Sequence, residues 1–356
     1  MGKCGAFLRI SGYILIATAA SLYYFHLECL QEQKEKAKSE SFDTFNPEIT
    51  DVADVPLPFV EEGGEIDVGV TFMLLQSAPC AVCKMLEFLS MQDNAFDKKP
   101  DPKSLRNITI KDARKSSPGD FHDTGFTLIE LDEAPTIKDW RTNTLRDPDA
   151  EISNFFTQME PYIKQLYPNV KKMKWTNNVV RGGNVFGDQP KAAHAPHLDY
   201  HQSKEKRIEF HKEYPAMPTW ITNFTEPNVL MGHFDDDDNK LGVLLGLWKP
   251  IHPEFVCDWP LAIMDARTFK PEHQLEGRVH VNFGVFTYHN LGGGIAHSPE
   301  QRWYYYPFQS TSEVLIFHQY SEGKWLANPH TSFFNRNCPE NTQPRQSVEM
   351  RLGLYF

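Results

Sequence analysis

Beyond about residue 105 the chain shows short apolar stretches, some alternating with polar residues and some continuous. Ile108 and Ile110 stand among polar neighbours, and the run Gly125 to Leu131 follows a turn, so residues 105–131 read as strands. From Asp149 to Tyr167 the period changes. Ile152, Phe155, Phe156, Met159 and Ile163 recur at three- and four-residue spacing, which predicts a helix with one apolar stripe. Pro161 lies inside that pattern and removes a helical hydrogen bond, so two helical pieces are expected. Beyond residue 240 come short apolar runs punctuated by Gly and Pro: 241–248, 259–264, 279–288, 303–306, 314–320 and 348–356. Many short strands after a helical lead-in predict a mainly β domain with flanking helices (α+β), its core a jelly-roll double sheet.

The amino-terminal end has another pattern. Residues 10–27 carry no charged side chain apart from a histidine, and the run approaches the roughly 20 residues that cross a bilayer. Lys3 and Arg9 precede it, and Tyr23 and Tyr24 take interfacial positions. One N-terminal transmembrane helix is therefore expected within residues 1–29, as a signal anchor with the bulk of the chain facing the ER or Golgi lumen. The alternative is a signal peptide cleaved near Ala17-Thr18-Ala19, followed by secretion. Residues 30–64 are charged and poor in periodic apolar positions, and read as a stalk or linker. A globular domain then spans 65–356, with a polar insertion at 203–240. That insertion ends in Asp235 to Asp238, a run without EF-hand spacing that reads as a solvated acidic loop.

Composition narrows the function classes. With 40% hydrophobic and 23% charged residues, the 356-residue chain has an ordinary globular balance and length for a sizeable core. A net charge of -11 argues against a nucleic-acid partner, because phosphate binding needs a basic face. Six cysteines are too few to frame the fold. Cys80 and Cys83 have half-zinc-site spacing, but one pair cannot complete such a site, so a structural disulfide or two buried thiols is expected. Asn107 and Asn223 begin sequons that permit lumenal glycosylation.

Candidate chemistry centres on Pro196-His197-Leu198-Asp199-Tyr200. In a strand, His197 and Asp199 project to one face while Leu198 packs on the other. A neutral imidazole beside a carboxylate makes two-thirds of the face that holds non-haem Fe(II) and leaves positions open. The third ligand is a distant histidine, and His330 is chosen because it follows a strand and a loop and leads to an arginine and a final strand. Its rivals are His280, His289, His297 and His318: His289, before Gly292-Gly293-Gly294 in a turn-rich place, is the strongest, while His280 and His318 lie inside apolar runs where a hydrogen-bonded core imidazole is the default. His201 shares the parity of His197, so His197, Asp199 and His201 form an alternative zinc-hydrolase set, unless the strand breaks after Tyr200. Arg345 and Ser347 suit the far carboxylate of a dicarboxylate co-substrate: a buried carboxylate needs a paired charge, and arginine offers a two-pronged donor. Trp248 and residues 303–306 serve either as an apolar substrate wall or as core packing.

Several blocks in one order carry a family resemblance. They are Arg181-Gly-Gly-Asn-Val-Phe-Gly-Asp-Gln-Pro with His197-Leu-Asp199, Leu247-Trp-Lys-Pro-Ile, Asp258-Trp-Pro-Leu-Ala-Ile-Met-Asp-Ala-Arg267 and Arg302-Trp-Tyr-Tyr-Tyr-Pro307. Ser312-Glu-Val-Leu-Ile-Phe, Pro329-His-Thr-Ser-Phe333 and Pro344-Arg-Gln-Ser-Val-Glu-Met-Arg351 complete them. Over roughly residues 105–356 the chain resembles the fungal and bacterial hydroxylase/desaturase family of the AsaB, gibberellin desaturase and CmcJ type. The resemblance implies an oxidoreductase of the dioxygenase class on a double-stranded β-helix core. Its cofactors would be Fe(II), 2-oxoglutarate and O2, and it would hydroxylate or desaturate a small organic molecule. Carried over by motif, His197, Asp199 and His330 are the iron ligands, and Arg345 with Ser347 binds 2-oxoglutarate. A membrane-anchored jelly roll that only binds ligands is the alternative from another class. The N-terminal segment, the acidic insertion and the Gly292-rich stretch depart from the family pattern where substrate loops are expected, so the substrate is not inherited from it.

Overall fold

The computed structural model describes residues 51–59, 66–71, 105–135, 137, 151–182, 193–214, 241–252, 254–282, 287–339 and 342–356. Contacts divide the chain into two compact units, Met1–Ile49 with Pro339–Thr342 and Thr50–Cys338 with Gln343–Phe356, and the second carries every element that follows. Among the described residues no helix is long and apolar enough to cross a membrane. The run at 10–27, Cys80, Cys83, Asn223 and the aspartates 235–238 lie outside them.

Two sheets form the body. The larger contains β1 (Val52–Pro58), β2 (Ile66–Thr71), β3 (Leu105–Asp112), β6 (His197–Leu198), β9 (Leu261–Met264), β10 (Gln274–Asn282), β11 (Thr287–Ile295), β12 (Trp303–Tyr305) and β15 (His330–Ser332). Its strand order is β1-β3-β12-β9-β15-β6-β11-β10-β2. The smaller contains β4 (Phe126–Glu130), β5 (Lys172–Gly182), β7 (Leu241–His252), β14 (Glu313–Ser321) and β16 (Gln346–Tyr355), in the order β4-β14-β7-β16-β5. A further pair joins β8 (Phe255–Val256) to β13 (Gln309–Ser310).

Period-two patterning sorts side chains onto the faces of the smaller sheet. Val348, Met350, Leu352 and Leu354 of β16 join Val243, Leu245 and Leu247 of β7 on its outer face, under the helix Glu151–Leu166. Phe155, Met159 and Ile163 are the fully buried stripe of that helix, as the spacing predicts. On the inner face Trp248, Leu315 and Phe317 meet Leu261, Ile263 and Tyr304 of the larger sheet, so the two sheets pack face to face over a shared apolar layer. Trp303 and Tyr305 point the other way, into the outer cluster of the larger sheet.

Four expectations change. The helix runs unbroken through Pro161. Both Pro161 and Thr157, whose carbonyl loses its donor, lie on the exposed side, where water replaces the missing bond. The run 279–288 is not one strand: β10 and β11 fold back on each other, with Asn282 opposite Thr287. Gly292-Gly293-Gly294 is the body of β11 rather than a turn, for reasons of close approach to β6. Residues 52–58, inside the span expected as a stalk, form β1, whose Val52, Val55 and Leu57 are buried against the larger sheet.

Because Phe155 is wholly enclosed beneath the smaller sheet, Phe155→Ala is expected to lower unfolding free energy by about 3–5 kcal/mol, read from the urea midpoint at unchanged slope.

Candidate metal centre

β15 lies between β9 and β6, so His330 faces Ile263 on one side and His197 on the other. Directly opposed antiparallel residues hold their Cβ atoms about 4.5–5.5 Å apart. The two imidazole rings accordingly sit with centroids 4.6 Å apart. Leu198 packs into the opposite, apolar face, as alternation requires. β6 ends at Leu198, and Asp199 begins a bend that still brings its Oδ1 to 3.7 Å from His197 Nε2. Donor atoms of His197, Asp199 and His330 all lie within 4.8 Å of one another, and this is the trio that converges among the described residues.

Each imidazole is oriented by its own backbone. His197 Nδ1 lies 2.8 Å from the Ala195 carbonyl, and His330 Nδ1 lies 3.2 Å from that of Asn328. With the Nδ1 protons donated there, both Nε2 lone pairs are left for a metal. His330 Nε2 is buried with no hydrogen-bond partner, an orphaned acceptor that a cation would satisfy. Burial, together with the adjacent His330, pushes His197 down to about 4, and burial likewise lowers His330, so both rings are neutral ligands at neutral pH.

Asp199 presents one oxygen. Its Oδ2 accepts from Arg351 Nη2 at 2.6 Å and Nε at 3.1 Å, and from Gln319 Nε2 at 2.6 Å. Glu349 Oε1 accepts from the same two side chains, at 3.1 Å from Arg351 and 3.0 Å from Gln319. Burial opposes the charge of Asp199, but Arg351, His330 and His197 hold its carboxyl well below the usual range. Burial and Asp199 push Glu349 up to about 7, so the charge resides on Asp199. Two imidazoles, one singly available carboxylate oxygen and an open side fit a 2-His-1-carboxylate iron site. The opening is real: the His197 and Asp199 side chains keep 27% and 15% of their surface exposed.

Ser347 lies on the same face of the terminal strand as Glu349 and Arg351, opposite to Val348 and Met350, and Arg345 immediately precedes that strand. Arg345 is buried, its guanidinium 5.4 Å from the centre of the Trp248 ring and donating from Nη1 to the Trp259 carbonyl. Trp259 takes a left-handed conformation, φ +44°, uncommon for so bulky a residue. Burial, then the neighbouring Arg181, brings Arg345 down to about 9. Ser347 is buried opposite Arg181 of β5.

A family model described as YDMC, oxidoreductase/YMDC permease-like domain, matches residues 84–355. The chain belongs to the YDMC family. Two relatives of this YDMC chain agree with the motif resemblance. Aspirochlorine biosynthesis protein N of Aspergillus oryzae is 28% identical over 116 residues, 32% of this chain and 48% of that protein. The Fe(II)/2-oxoglutarate-dependent dioxygenase nvfI of Aspergillus novofumigatus is 30% identical over 117 residues, 31% of this chain and 39% of that protein. The chain thus spans less than half the length of either relative. Its mainly β fold is shared with a solved structure of the iron and alpha-ketoglutarate-dependent endoperoxidase NvfI, at TM-score 0.57 and 18% identity over 86% of this chain and 98% of the other.

The rival histidines of the YDMC chain lie elsewhere. His289 packs on Tyr214 at 5.1 Å between ring centroids. β6 already ends at Leu198, so the parity that would align His201 with His197 is lost; His201 accepts from the Ser203 amide at 3.1 Å and is not part of the converging trio. His318 is the expected core imidazole, stacked on Phe121 and bonded to the Gly125 carbonyl and the Tyr167 hydroxyl. The backbone of His280 pairs with His289 on one side and with Gly69 on the other. Arg181, Gln319, Glu349 and Arg351 had no role in the sequence reading. For the β16 pair the signal was available, since both continue the i, i+2 parity that starts at Arg345. Gln319 sits inside an apolar run and has no such mark.

Arg351→Met would leave Asp199 and Glu349 as two enclosed carboxylates without their shared guanidinium, at an expected loss of about 3 kcal/mol in denaturation of the metal-free protein. Adding Glu349→Gln should recover part of that loss, since the two sites are coupled.

Proposed function

We propose that this chain is an Fe(II)- and 2-oxoglutarate-dependent oxygenase that hydroxylates or desaturates a small organic molecule, on a double-stranded β-helix scaffold. The convergence of His197, Asp199 and His330 beside a strand that carries Ser347, with Arg345 immediately before it, is the observation that supports it most. The names of the relatives, an iron-dependent dioxygenase and an iron-dependent endoperoxidase, point to the same chemical class.

Bound iron would supply oxygen activation, which no protein side chain provides. The chain's own part is placement and charge. Both Nε2 atoms and Asp199 Oδ1 would hold the metal on one side and leave the other to ligands. Arg345 and Ser347 would take the far carboxylate of 2-oxoglutarate, in a place where burial makes a guanidinium an effective partner. Arg351 and Gln319 keep Asp199 ionised and its second oxygen occupied, so no proton competes for the site. Phe317, whose ring lies 5.0 Å from that of His330, and the apolar layer behind it exclude water from one side. A substrate would approach from the side on which His197 and Asp199 keep part of their surface exposed.

The apolar run 10–27 supports, in addition, a single-pass anchor holding the domain in the ER or Golgi lumen. The Cys257–Cys338 disulfide accords with an oxidising compartment. In intact microsomes the domain should resist added protease until detergent is present; digestion without detergent refutes the lumenal placement.

The decisive test of the chemistry is anaerobic reconstitution with Fe(II) and 2-oxoglutarate. The wild type should develop the visible charge-transfer band of chelated iron, and form succinate when air is admitted. Asp199→Ala and His330→Ala should give neither signal. Arg345→Leu should still bind iron but need roughly 10- to 100-fold more 2-oxoglutarate for the band, the equivalent of about 1.5–3 kcal/mol for hydrogen bonds to a charged group. A band of full intensity in the Asp199 variant sinks the proposal.

A further inference from the structure

Regular strand pairing stops at Leu198, one residue before the carboxylate ligand of the proposed centre. Asp199 is nevertheless held, and the holding is done by β11. Gly293 pairs with Leu198, Gly294 with His197, and His201 donates its amide to the Leu291 carbonyl at 2.8 Å. Between these points Asn290 Nδ2 donates to the Asp199 carbonyl at 2.7 Å.

Gly292 sits against the same bend. A Cβ there would lie 2.8 Å from the Leu198 carbonyl oxygen and 3.3 Å from that of Asp199. Both obstacles are backbone, so a methyl group at Gly292 must push the Leu198–Asp199 peptide away. Gly293 differs: the atoms in the way belong to the Gln274 side chain, led by Nε2 at 2.7 Å, and a flexible side chain can yield. The carboxylate cannot absorb a backbone displacement by rotating, because its Oδ2 is already fixed by Arg351 and Gln319. Any shift of the bend therefore moves Oδ1 relative to the two imidazoles, or breaks that clamp.

We propose that Gly292 and Asn290 are positioning residues for Asp199, so that β11 sets the metal affinity of the site without contributing a ligand. The proposal rests on the metal-centre reading above. Its test uses Mn(II), a stand-in of matching charge, titrated into the full chain and followed by loss of the free-ion electron paramagnetic resonance signal. Wild type, Gly292→Ala, Gly293→Ala and Asn290→Leu are compared, with thermal unfolding of each metal-free protein recorded alongside. Gly292→Ala and Asn290→Leu should weaken Mn(II) binding by roughly 10- to 100-fold, the usual penalty for losing a group that orients a ligand. Gly293→Ala should bind like wild type. A merely structural role would lower the unfolding temperature and leave the affinity of the folded protein unchanged. Wild-type affinity in folded Gly292→Ala or in Asn290→Leu overturns the proposal, as does an equal loss in Gly293→Ala. Should Gly292→Ala fail to fold, Asn290→Leu decides. A wild type that takes up no Mn(II) removes the metal centre itself, whereas tight binding by all four proteins removes only the role of β11.

Discussion

One antiparallel pairing, His330 of β15 against His197 of β6, is what the candidate site depends on. The two strands are three and two residues long, too short to be held by their own ladder. Their register is imposed by neighbours. β9 fixes β15 through Ile263 and Leu261, and β11 fixes β6 through its glycines. A slip of one residue on either strand would send an imidazole to the opposite face, where Leu198 and Phe333 are buried. The apolar packing of the larger sheet is therefore also the device that aligns the polar residues.

The inner face of β16 carries the electrostatic consequence. Ser347, Glu349 and Arg351 are nearly inaccessible, and Asp199 reaches them from the other sheet. Charges so enclosed stabilise a fold only when each has a partner, and removing one partner costs more than the pair contributes. Here the partners are shared: Arg351 and Gln319 each touch both Asp199 and Glu349. Sharing explains why the two carboxyls diverge, Asp199 held low and Glu349 pushed up to about 7, since two adjacent carboxylates resist ionising together. A second cationic group lies further along, where Arg181 faces Ser347 and depresses Arg345. A buried guanidinium, Arg345, beside a half-buried one, Arg181, makes a place that favours an anion.

Much of this was legible from residue types and spacing. The late β-runs, the amphipathic helix and the i, i+2 parity of His197 with Asp199 follow from local periodicity, whereas His330 was chosen from its place in the order of motifs, after a strand and a loop and before an arginine and a final strand. What periodicity cannot carry is register between distant strands. That His330 lies opposite His197 depends on tertiary packing, because strands of two and three residues leave almost no periodic trace. The same blindness made Gly292-Gly293-Gly294 look like a turn. Glycine signals permissive backbone or close approach, and only the neighbouring Leu198 carbonyl tells which of the two applies. Pro161 misled for a related reason, since its cost depends on whether the abandoned carbonyl faces water.

The disulfide bears on the second half of the site. Cys257 immediately precedes Asp258 and Trp259, and Cys338 leads within a few residues to Arg345. The Asp258 carboxylate accepts from the Arg345 amide at 3.4 Å and the Trp259 carbonyl accepts from its guanidinium. A cross-link whose two ends run into opposite partners of one contact limits how far those partners can separate. It also helps to explain how Trp259 sustains a left-handed backbone, a conformation that persists only where the surroundings over-determine it. Two devices therefore divide the work: strand register assembles the metal-facing residues, and a covalent tie steadies the turn against which Arg345 is held.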